Sequence, residues 1–140
     1  MSSTENIRKW LPGLVDRYDI KTVCDAGAGD LHWVSHVEWD VDFYPFDLVP
    51  RHKDVKQLDI SQEALPPCDL IICRMVFNHM SPEDTRKAIE LFKKSGKYLL
   101  ASTYSVKTRP FHDVDLGLGS PIEGCDDGHE EGCELCLWSL

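Results

Sequence analysis

The residues best suited to chemistry in this sequence form a glycine-rich loop that follows the first predicted strand. The strand runs from Lys21 to Asp25, and the loop reads Asp25-Ala-Gly-Ala-Gly-Asp30. Glycines in such a loop let the backbone approach a ligand without an intervening Cβ, and the N–H groups of the following segment suit an anionic group. The acid that opens the loop would repel a pyrophosphate but suits a ligand that carries an ammonium group. We therefore expect this loop to bind a small ligand of that kind.

The loop also admits a dinucleotide, which is the competing cofactor class. A dinucleotide fingerprint reads G-x-G-x-x-G/A, but His32 stands here in place of its third small residue. This departure and the acid at position 25 weaken the NAD interpretation without removing it. A nucleotide- or NAD-binding module therefore stays an alternative.

Charged residues also end the next three predicted strands. Asp47 ends the second strand, where an acid can accept hydrogen bonds from both hydroxyls of a ribose. Asp59 ends the third strand, where an aromatic base can donate to it while packing on Leu48 and Ile60. Arg74 follows the fourth strand. Because ligands of open α/β sheets bind beyond the carboxyl ends of the strands, these residues and the loop predict a single binding site.

The hydrophobic pattern predicts the elements that must position these residues. An apolar stripe at helical spacing predicts a helix over 6–18, in which Pro12 should cause a kink or a late start. Ser81, Pro82 and Asp84 predict the start of a second helix, and Gly96 predicts its end. The other predicted elements are a helix over 31–39 and strands over 42–48, 55–60, 68–73, 97–104 and 135–140. Strands that alternate with helices or short connections predict an α/β fold with a mostly parallel sheet.

Length and charge bound the class of protein. The 140 residues suit one domain, with a cofactor-binding core over 19–107 and a short acidic C-terminal extension over 108–140. The net charge is −9, and the last 31 residues hold eight acids and no Lys or Arg. This charge argues against nucleic acid as a partner. The sequence shows no signal peptide and no apolar run that would span a bilayer, so a cytoplasmic protein with reduced cysteines is expected.

From residue 20 onward, the ordered motifs resemble those of the class I S-adenosylmethionine-dependent methyltransferases. VCDAGAGD is similar to the first motif of that family, FYPFD to its second strand with the ribose-binding acid, and QLDI to its adenine-contacting segment. PPCDLIICRMVFNHMS and KSGKYLLASTY resemble the fourth strand with its loop and the fifth strand. Arg109-Pro110 and the final LCLW are typical of a small branch of the family, although Met75 stands where that branch often has Asp.

The resemblance implies a Rossmann-like methyltransferase fold with a reduced C-terminal region, and S-adenosyl-L-methionine as the cofactor. The residues expected to hold the cofactor are Asp25, Ala26, Gly27, Gly29, Asp47, Leu48, Asp59, Ile60 and Arg74. The expected methyl acceptor is a small molecule or a peptide. A protein that binds S-adenosylmethionine without transferring its methyl group, such as a sensor or a cofactor sink, is the alternative, because the catalytic signature is weak and the C-terminal region is short.

Two residues after the fourth strand are the catalytic candidates. His79 can act as a general base near neutral pH, or it can hydrogen-bond a loop carbonyl. Arg74 can bind a substrate carboxylate or phosphate, or it can pair with an acid in the loop. Tyr104 and Arg109 are expected to line the same mouth. Methyl transfer needs a base only when the acceptor must lose a proton, so a catalytic triad is not required.

Cysteine and histidine spacings raise the question of a metal site. The tail contains a C-x3-H-x3-C-x2-C array formed by Cys125, His129, Cys133 and Cys136. Four such ligands can hold Zn²⁺, and an acidic surface loop with unrelated cysteines is the alternative. His32 and His36 are four residues apart on the predicted helix, and we interpret that spacing as helix packing rather than as metal binding.

Overall fold

One seven-stranded sheet organises the part of the chain that the computed structural model describes, residues 4–103, 116–126 and 134–140. The strands are β1 (Thr22–Ala26), β2 (Asp42–Asp47), β3 (Lys56–Gln57), β4 (Cys68–Cys73), β5 (Gly96–Thr103), β6 (Glu123–Asp126) and β7 (Glu134–Ser139). Their order across the sheet is β3-β2-β1-β4-β5-β7-β6. Neighbours among β1 to β5 are parallel, whereas β7 is antiparallel to β5 and to β6. The predicted α/β fold with a mostly parallel sheet is confirmed.

Two α-helices, α1 (Glu5–Arg17) and α2 (Pro82–Ser95), pack on opposite faces of this sheet. Successive residues of a strand point to opposite faces, so Leu70 of β4 packs in the core cluster of α1 and Ile71 packs in that of α2. β4 has the predicted bounds, because an unbroken apolar run suits a strand that is buried on both faces. Pro12 lies inside α1, which is continuous, so the expected late start of that helix is wrong.

The start and end of α2 follow from local chemistry. The Ser81 Oγ accepts a hydrogen bond from the Asp84 N–H at 3.1 Å, and Pro82 occupies the first turn. Gly96 ends the helix with an extended φ of −112° rather than a left-handed one. A Cβ at Gly96 would lie 2.8 Å from Ile71 Cδ1, so close packing on β4 requires the glycine. α2 thus passes directly into β5.

Two predicted elements are shorter in the structure. The helix predicted over 31–39 is a single 3-10 turn, Val34–His36. Leu31 has a φ of +65°, a left-handed conformation that a regular helix cannot contain, and burial of Val34 and Val37 needs only one turn. The strand predicted over 55–60 keeps two residues, because Asp59 starts a turn in which its carbonyl accepts the Gln62 and Glu63 N–H groups. Both shortened elements lie beside the candidate site.

The C-terminal strands belong to the sheet and are joined to α1. β7 pairs along its whole length with β5, with Leu137 opposite Leu100. Glu123 of β6 accepts hydrogen bonds from Trp10 Nε1 at 3.0 Å, from the Tyr18 hydroxyl at 2.6 Å and from the Arg17 guanidinium.

None of the helices that the structure describes is long and apolar enough to traverse a bilayer.

Replacing Glu123 with Gln should lower the free energy of unfolding at pH 7 by about 1–3 kcal/mol, because three donors lose a charged acceptor. Burial acts to raise the pKa of Glu123, but hydrogen bonds from Tyr18, Arg17 and Trp10 outweigh it and hold the pKa below its ordinary value. The carboxylate therefore stabilises the fold above about pH 4.5, and this contribution is lost as the pH falls through the lowered pKa. Urea unfolding at pH 7 and pH 3 measures the difference.

Glu5 provides the matched control, since it forms an exposed ion pair with Lys9 on the same helix. Glu5→Gln should leave the free energy of unfolding nearly unchanged at either pH, because an exposed ion pair contributes little to stability. If both substitutions lower the free energy of unfolding by the same amount at pH 7, the hydrogen bonds that join Glu123 of β6 to α1 do not stabilise the fold.

Candidate functional site

A cavity of about 520 Å³ opens where β1 to β4 reach their carboxyl ends. Loops that follow these strands form most of its wall, and the start of α2 closes one side. The predicted residues that line the cavity are Ala26, Gly27, Gly29, Asp47, Leu48, Asp59, Ile60, Arg74 and His79. The structure therefore brings together every predicted cofactor-binding residue except Asp25, which is buried next to them in the chain.

The glycine loop is held against β2 by two backbone hydrogen bonds. The N–H groups of Gly27 and Ala28 donate to the Phe46 carbonyl at 2.8 and 2.9 Å. Gly27 and Gly29 have left-handed φ values of +107° and +61°. A Cβ built on Gly27 would lie 2.3 Å from Val76 Cγ2, whereas one on Gly29 would meet no atom within 4 Å. Gly27 is thus needed for the close approach of the loop after β4, and Gly29 for its backbone angle alone.

Asp47 links the end of β2 to the glycine loop. Its Oδ2 accepts the Gly29 N–H at 2.9 Å, and its Oδ1 accepts the Val49 N–H at 3.2 Å. A carboxylate oxygen has two lone pairs, so each oxygen keeps one for a further donor. The carboxylate is therefore held in place by backbone groups and can accept a pair of hydroxyl groups from a ligand in the cavity.

Asp59 stands between apolar surfaces at the other end of the cavity. Its Oδ1 accepts the Ser61 N–H at 3.0 Å and the Ser61 hydroxyl at 2.7 Å. No hydrogen bond from the described part of the chain reaches its Oδ2, which stays available as an acceptor. Ile60 is buried, while Leu48 keeps 55% of its surface exposed. This end suits a flat, apolar group that carries a hydrogen-bond donor.

Asp25 is a buried acid next to the glycine loop. Its exposed fraction is 2%, and none of the described residues donates a hydrogen bond to its carboxylate. The pKa of Asp25 is raised from its ordinary 3.8 to about 7, chiefly by burial and also by the charge of Asp47, while the charge of Arg74 opposes the rise. Within the described part of the chain, no positively charged group is in direct contact with this carboxylate, and a cationic ligand group would supply one.

Arg74 stands over an aromatic ring that the sequence does not mark as part of the site. The guanidinium carbon of Arg74 is 5.7 Å from the centre of the Trp33 ring, within the range of a cation–π interaction. Trp33 flanks the 3-10 turn in the segment predicted as a longer helix. The proximity of Trp33 to the loop after β4 does not follow from that predicted helix. Arg74 therefore lines the cavity with its cation already engaged on one side.

The cavity wall also contains residues that the sequence did not single out as site residues. Met75 and Val76 follow β4, Arg51 follows β2, and Ser81 and Asp84 belong to the start of α2. They come from segments whose direction depends on packing between distant elements, so no local pattern identifies them. His79 is exposed in the 3-10 turn Phe77–His79 and shares its wall with α2. Tyr104 and Arg109 lie outside the described residues.

The proposed zinc array does not form from the cysteines that the structure describes. Gly124 pairs with Cys136, and Cys125 pairs with the preceding residue, Leu135. Because adjacent strand residues point to opposite faces, Cys125 and Cys136 lie on different faces of the sheet and cannot bind one ion. His129 and Cys133 lie outside the described residues, and among those described no group of three metal-ligating side chains is found.

His32 and His36 lie side by side on the surface. Their rings pack edge to face, with ring centres 5.5 Å apart. Neither histidine lines the cavity.

Solved structures resemble this fold over most of the chain. An S-adenosylmethionine-dependent methyltransferase from Clostridium acetobutylicum matches 84% of the chain at 14% identity, with a TM-score of 0.60. The N-methyltransferase NodS from Bradyrhizobium japonicum, solved with S-adenosyl-L-homocysteine, matches 96% at 17% identity, with a TM-score of 0.59. Human N-acetylserotonin methyltransferase, solved with S-adenosylmethionine, matches 95% at 12% identity, with a TM-score of 0.63.

The lengths of these proteins differ from that of this chain. The chain spans 55% of the Clostridium protein, 54% of the human enzyme and 88% of NodS. Neither a protein-family model nor a curated protein sequence matches it. The likeness therefore lies in the architecture. On that evidence, this chain has the fold of the class I S-adenosylmethionine-dependent methyltransferases.

Proposed function

We propose that this chain is a methyltransferase that uses S-adenosylmethionine to methylate a small molecule or a peptide. The observation that carries the proposal is the buried carboxylate of Asp25, which accepts no hydrogen bond from the described residues and directly precedes the cavity-lining residues Ala26 and Gly27. In the cavity, Asp47 offers acceptors suited to a ribose, and Asp59 stands beside apolar side chains. This sequence of a cation acceptor, a diol acceptor and an apolar base pocket matches the chemical groups of S-adenosylmethionine.

The residues present fit that cofactor group by group. The backbone at Gly27 and Gly29 would hold the amino acid part, and Asp25 would balance its ammonium charge. Asp47 would accept the two ribose hydroxyls. Asp59 would accept the adenine amino group. When bound, S-adenosylmethionine supplies an electrophilic methyl group on a sulfonium.

The chain itself must then hold the acceptor in line with that methyl group and exclude water. Arg74 would bind an anionic group of the acceptor while its cation stays fixed on Trp33. His79 would take a proton from an acceptor that must lose one. Acceptors that carry no such proton would need only the positioning. Arg74 and His79 are thus the residues to which we assign the transfer step.

Isothermal calorimetry tests the cofactor assignment directly. We expect S-adenosylmethionine and S-adenosylhomocysteine to bind, and NAD not to bind. Asp47→Ala should weaken binding of S-adenosylhomocysteine at least about tenfold, because two hydrogen bonds to a charged acceptor are lost. Asp40→Ala is the matched control, because Asp40 is exposed and precedes the start of β2, whereas Asp47 is the last residue of that strand. Binding of NAD without either sulfur ligand would overturn the proposal, and normal binding by Asp47→Ala would overturn the ribose assignment.

A protein that binds the cofactor without transferring its methyl group is the second candidate. It is favoured by Met75, which lines the cavity at a position where the resemblance leads us to expect an acid. Release of S-adenosylhomocysteine from S-adenosylmethionine in the presence of a metabolite extract distinguishes the two. Turnover above that of an Asp47→Ala control supports the enzyme, whereas tight binding without turnover supports the second candidate.

A further inference from the structure

A residue with a left-handed backbone marks the point where the chain leaves β4 and enters the cavity wall. Met75 has a φ of +58°, which costs energy for any residue with a Cβ. Its side chain has no short polar group of the kind that lets Asn and Asp adopt this conformation. A contact with another part of the structure must therefore favour the turn.

Ser102 on β5 provides that contact. Its hydroxyl oxygen accepts a hydrogen bond from the Met75 N–H at 2.9 Å. Cys73, the last residue of β4, pairs with Ala101, so Ser102 lies beside the place where the chain turns away from the sheet. Ser102 is only 6% exposed, which leaves little room for water to replace it. Loss of a hydrogen bond at this partly buried N–H group is costly, so the hydroxyl favours the left-handed turn.

This turn determines where two residues of the cavity lie. Arg74 precedes it and stands over Trp33. Val76 follows it and packs so closely on Gly27 that a Cβ there would approach Val76 Cγ2 to 2.3 Å. If Met75 relaxed to a right-handed conformation, the chain after it would leave β4 in another direction. Val76 would then lose its contact with the glycine loop.

We propose that Ser102 is a positioning residue for the cofactor site. Through its hydrogen bond to Met75 it holds the loop after β4 in the left-handed turn that packs Val76 on Gly27. The identity of the ligand as S-adenosylmethionine rests on the proposed function, whereas the effect of Ser102 on the loop rests on geometry alone. Ser102 itself does not line the cavity and acts through Met75.

The experiment combines Ser102→Ala with Met75→Asn, since Asn adopts a left-handed conformation at little cost. The affinity for S-adenosylhomocysteine is measured by calorimetry. Contact between the Val76 methyl groups and the Gly27 α-protons is measured by nuclear Overhauser effects in the ligand-free protein. Ser102→Ala should weaken binding about tenfold in the native background and remove the Overhauser effect. In the Met75→Asn background, Ser102→Ala should change affinity less than about twofold, and the Overhauser effect should return.

Each outcome decides the proposal. An equal loss of affinity in both backgrounds would show that Ser102 acts by general packing and would overturn it, as would an unchanged Overhauser effect in Ser102→Ala. If that effect is lost and then restored while the native protein binds neither sulfur ligand, the positioning role stands and the proposed function fails. If the native protein binds both ligands and Ser102→Ala binds them equally well, the positioning role fails and the proposed function stands.

Discussion

Replacing Asp25 with Asn should make the protein more stable at pH 8 and weaken its cofactor binding at the same time. Burial raises the pKa of Asp25 to about 7 in the folded protein, against 3.8 ordinarily. A group with a raised pKa binds its proton more tightly in the folded state, so its stabilising contribution is complete below about pH 4 and is lost as the pH rises to 7. Asn stays neutral, and the free energy of unfolding at pH 8 should increase by about 2–4 kcal/mol.

The same substitution should weaken ligand binding. At pH 8, Asp25→Asn should weaken S-adenosylhomocysteine binding at least about tenfold, because a neutral amide cannot balance an ammonium group. In the native protein, ligand affinity should rise with pH through the region near 7, as the carboxylate ionises beside the cationic ligand. Urea unfolding at pH 5 and pH 8, and calorimetry over the same range, measure both effects.

Asp69→Asn is the control, since Asp69 stands on the neighbouring strand with the opposite electrostatics. Its Oδ2 accepts N–H groups from Lys21 at 2.8 Å and Thr22 at 3.2 Å. The hydrogen bond from Lys21 holds the pKa of Asp69 below its ordinary value, and burial opposes that effect only in part. Asp69→Asn should therefore destabilise the fold at pH 8, by about 1–2 kcal/mol, and leave ligand binding unchanged. Destabilisation by both substitutions at pH 8 would show that Asp25 is a structural ion and not a ligand site.

Most of the site residues that the sequence predicts lie at the ends of strands. β4 was predicted with its bounds because burial on both faces leaves an apolar run that needs no long-range information. Asp47, Asp59 and Arg74 were placed together because the carboxyl ends of parallel strands converge on one edge of a sheet. The structure brings these residues to one cavity, while their part in binding stays a prediction.

The connections between strands were predicted less well, since their course depends on contacts between distant residues. The helix expected over 31–39 fails at Leu31, whose left-handed φ cannot be read from its residue type. The interaction of Trp33 with Arg74 joins two loops that are 41 positions apart. In the same way, the hydrogen bond between Met75 and Ser102 links residues 27 positions apart. Such pairs leave no periodic pattern in the sequence.

The acidic tail shows the same limit. The sequence predicts it as an acidic extension of the cofactor-binding core, yet β6 and β7 belong to the sheet. Trp10 of α1 and Tyr18, which follows that helix, donate hydrogen bonds to Glu123 from more than 100 positions away. The sequence predicts a last strand over 135–140 but not which strand it joins. Pairing in the sheet is therefore decided by packing against β5 and α1, and the charge of the segment does not reveal it.

Gly27→Ala should be the most damaging single-methyl substitution in the cavity wall. The new Cβ would lie 2.3 Å from Val76 Cγ2, at a backbone φ of +107°. The cost of the overlap with Val76 adds to the cost of the disfavoured backbone angle. The free energy of unfolding should therefore fall by about 2–4 kcal/mol. Binding of S-adenosylhomocysteine should fall at least about tenfold, because the displaced loop no longer brings its backbone close to the ligand. Urea unfolding and calorimetry measure the two losses.

Gly29→Ala and Val76→Ala separate the two causes. Gly29 has a φ of +61° but open space around its Cβ position, so its substitution should carry only the backbone cost, about 1–2 kcal/mol. Val76→Ala removes the Cγ2 atom, and Gly27→Ala should cost less in that background than in the native one. Equal costs in both backgrounds would assign the whole effect to the backbone angle. A smaller cost would show that Gly27 is required for the contact between the glycine loop and the loop after β4, which is the contact that Ser102 maintains from the other side.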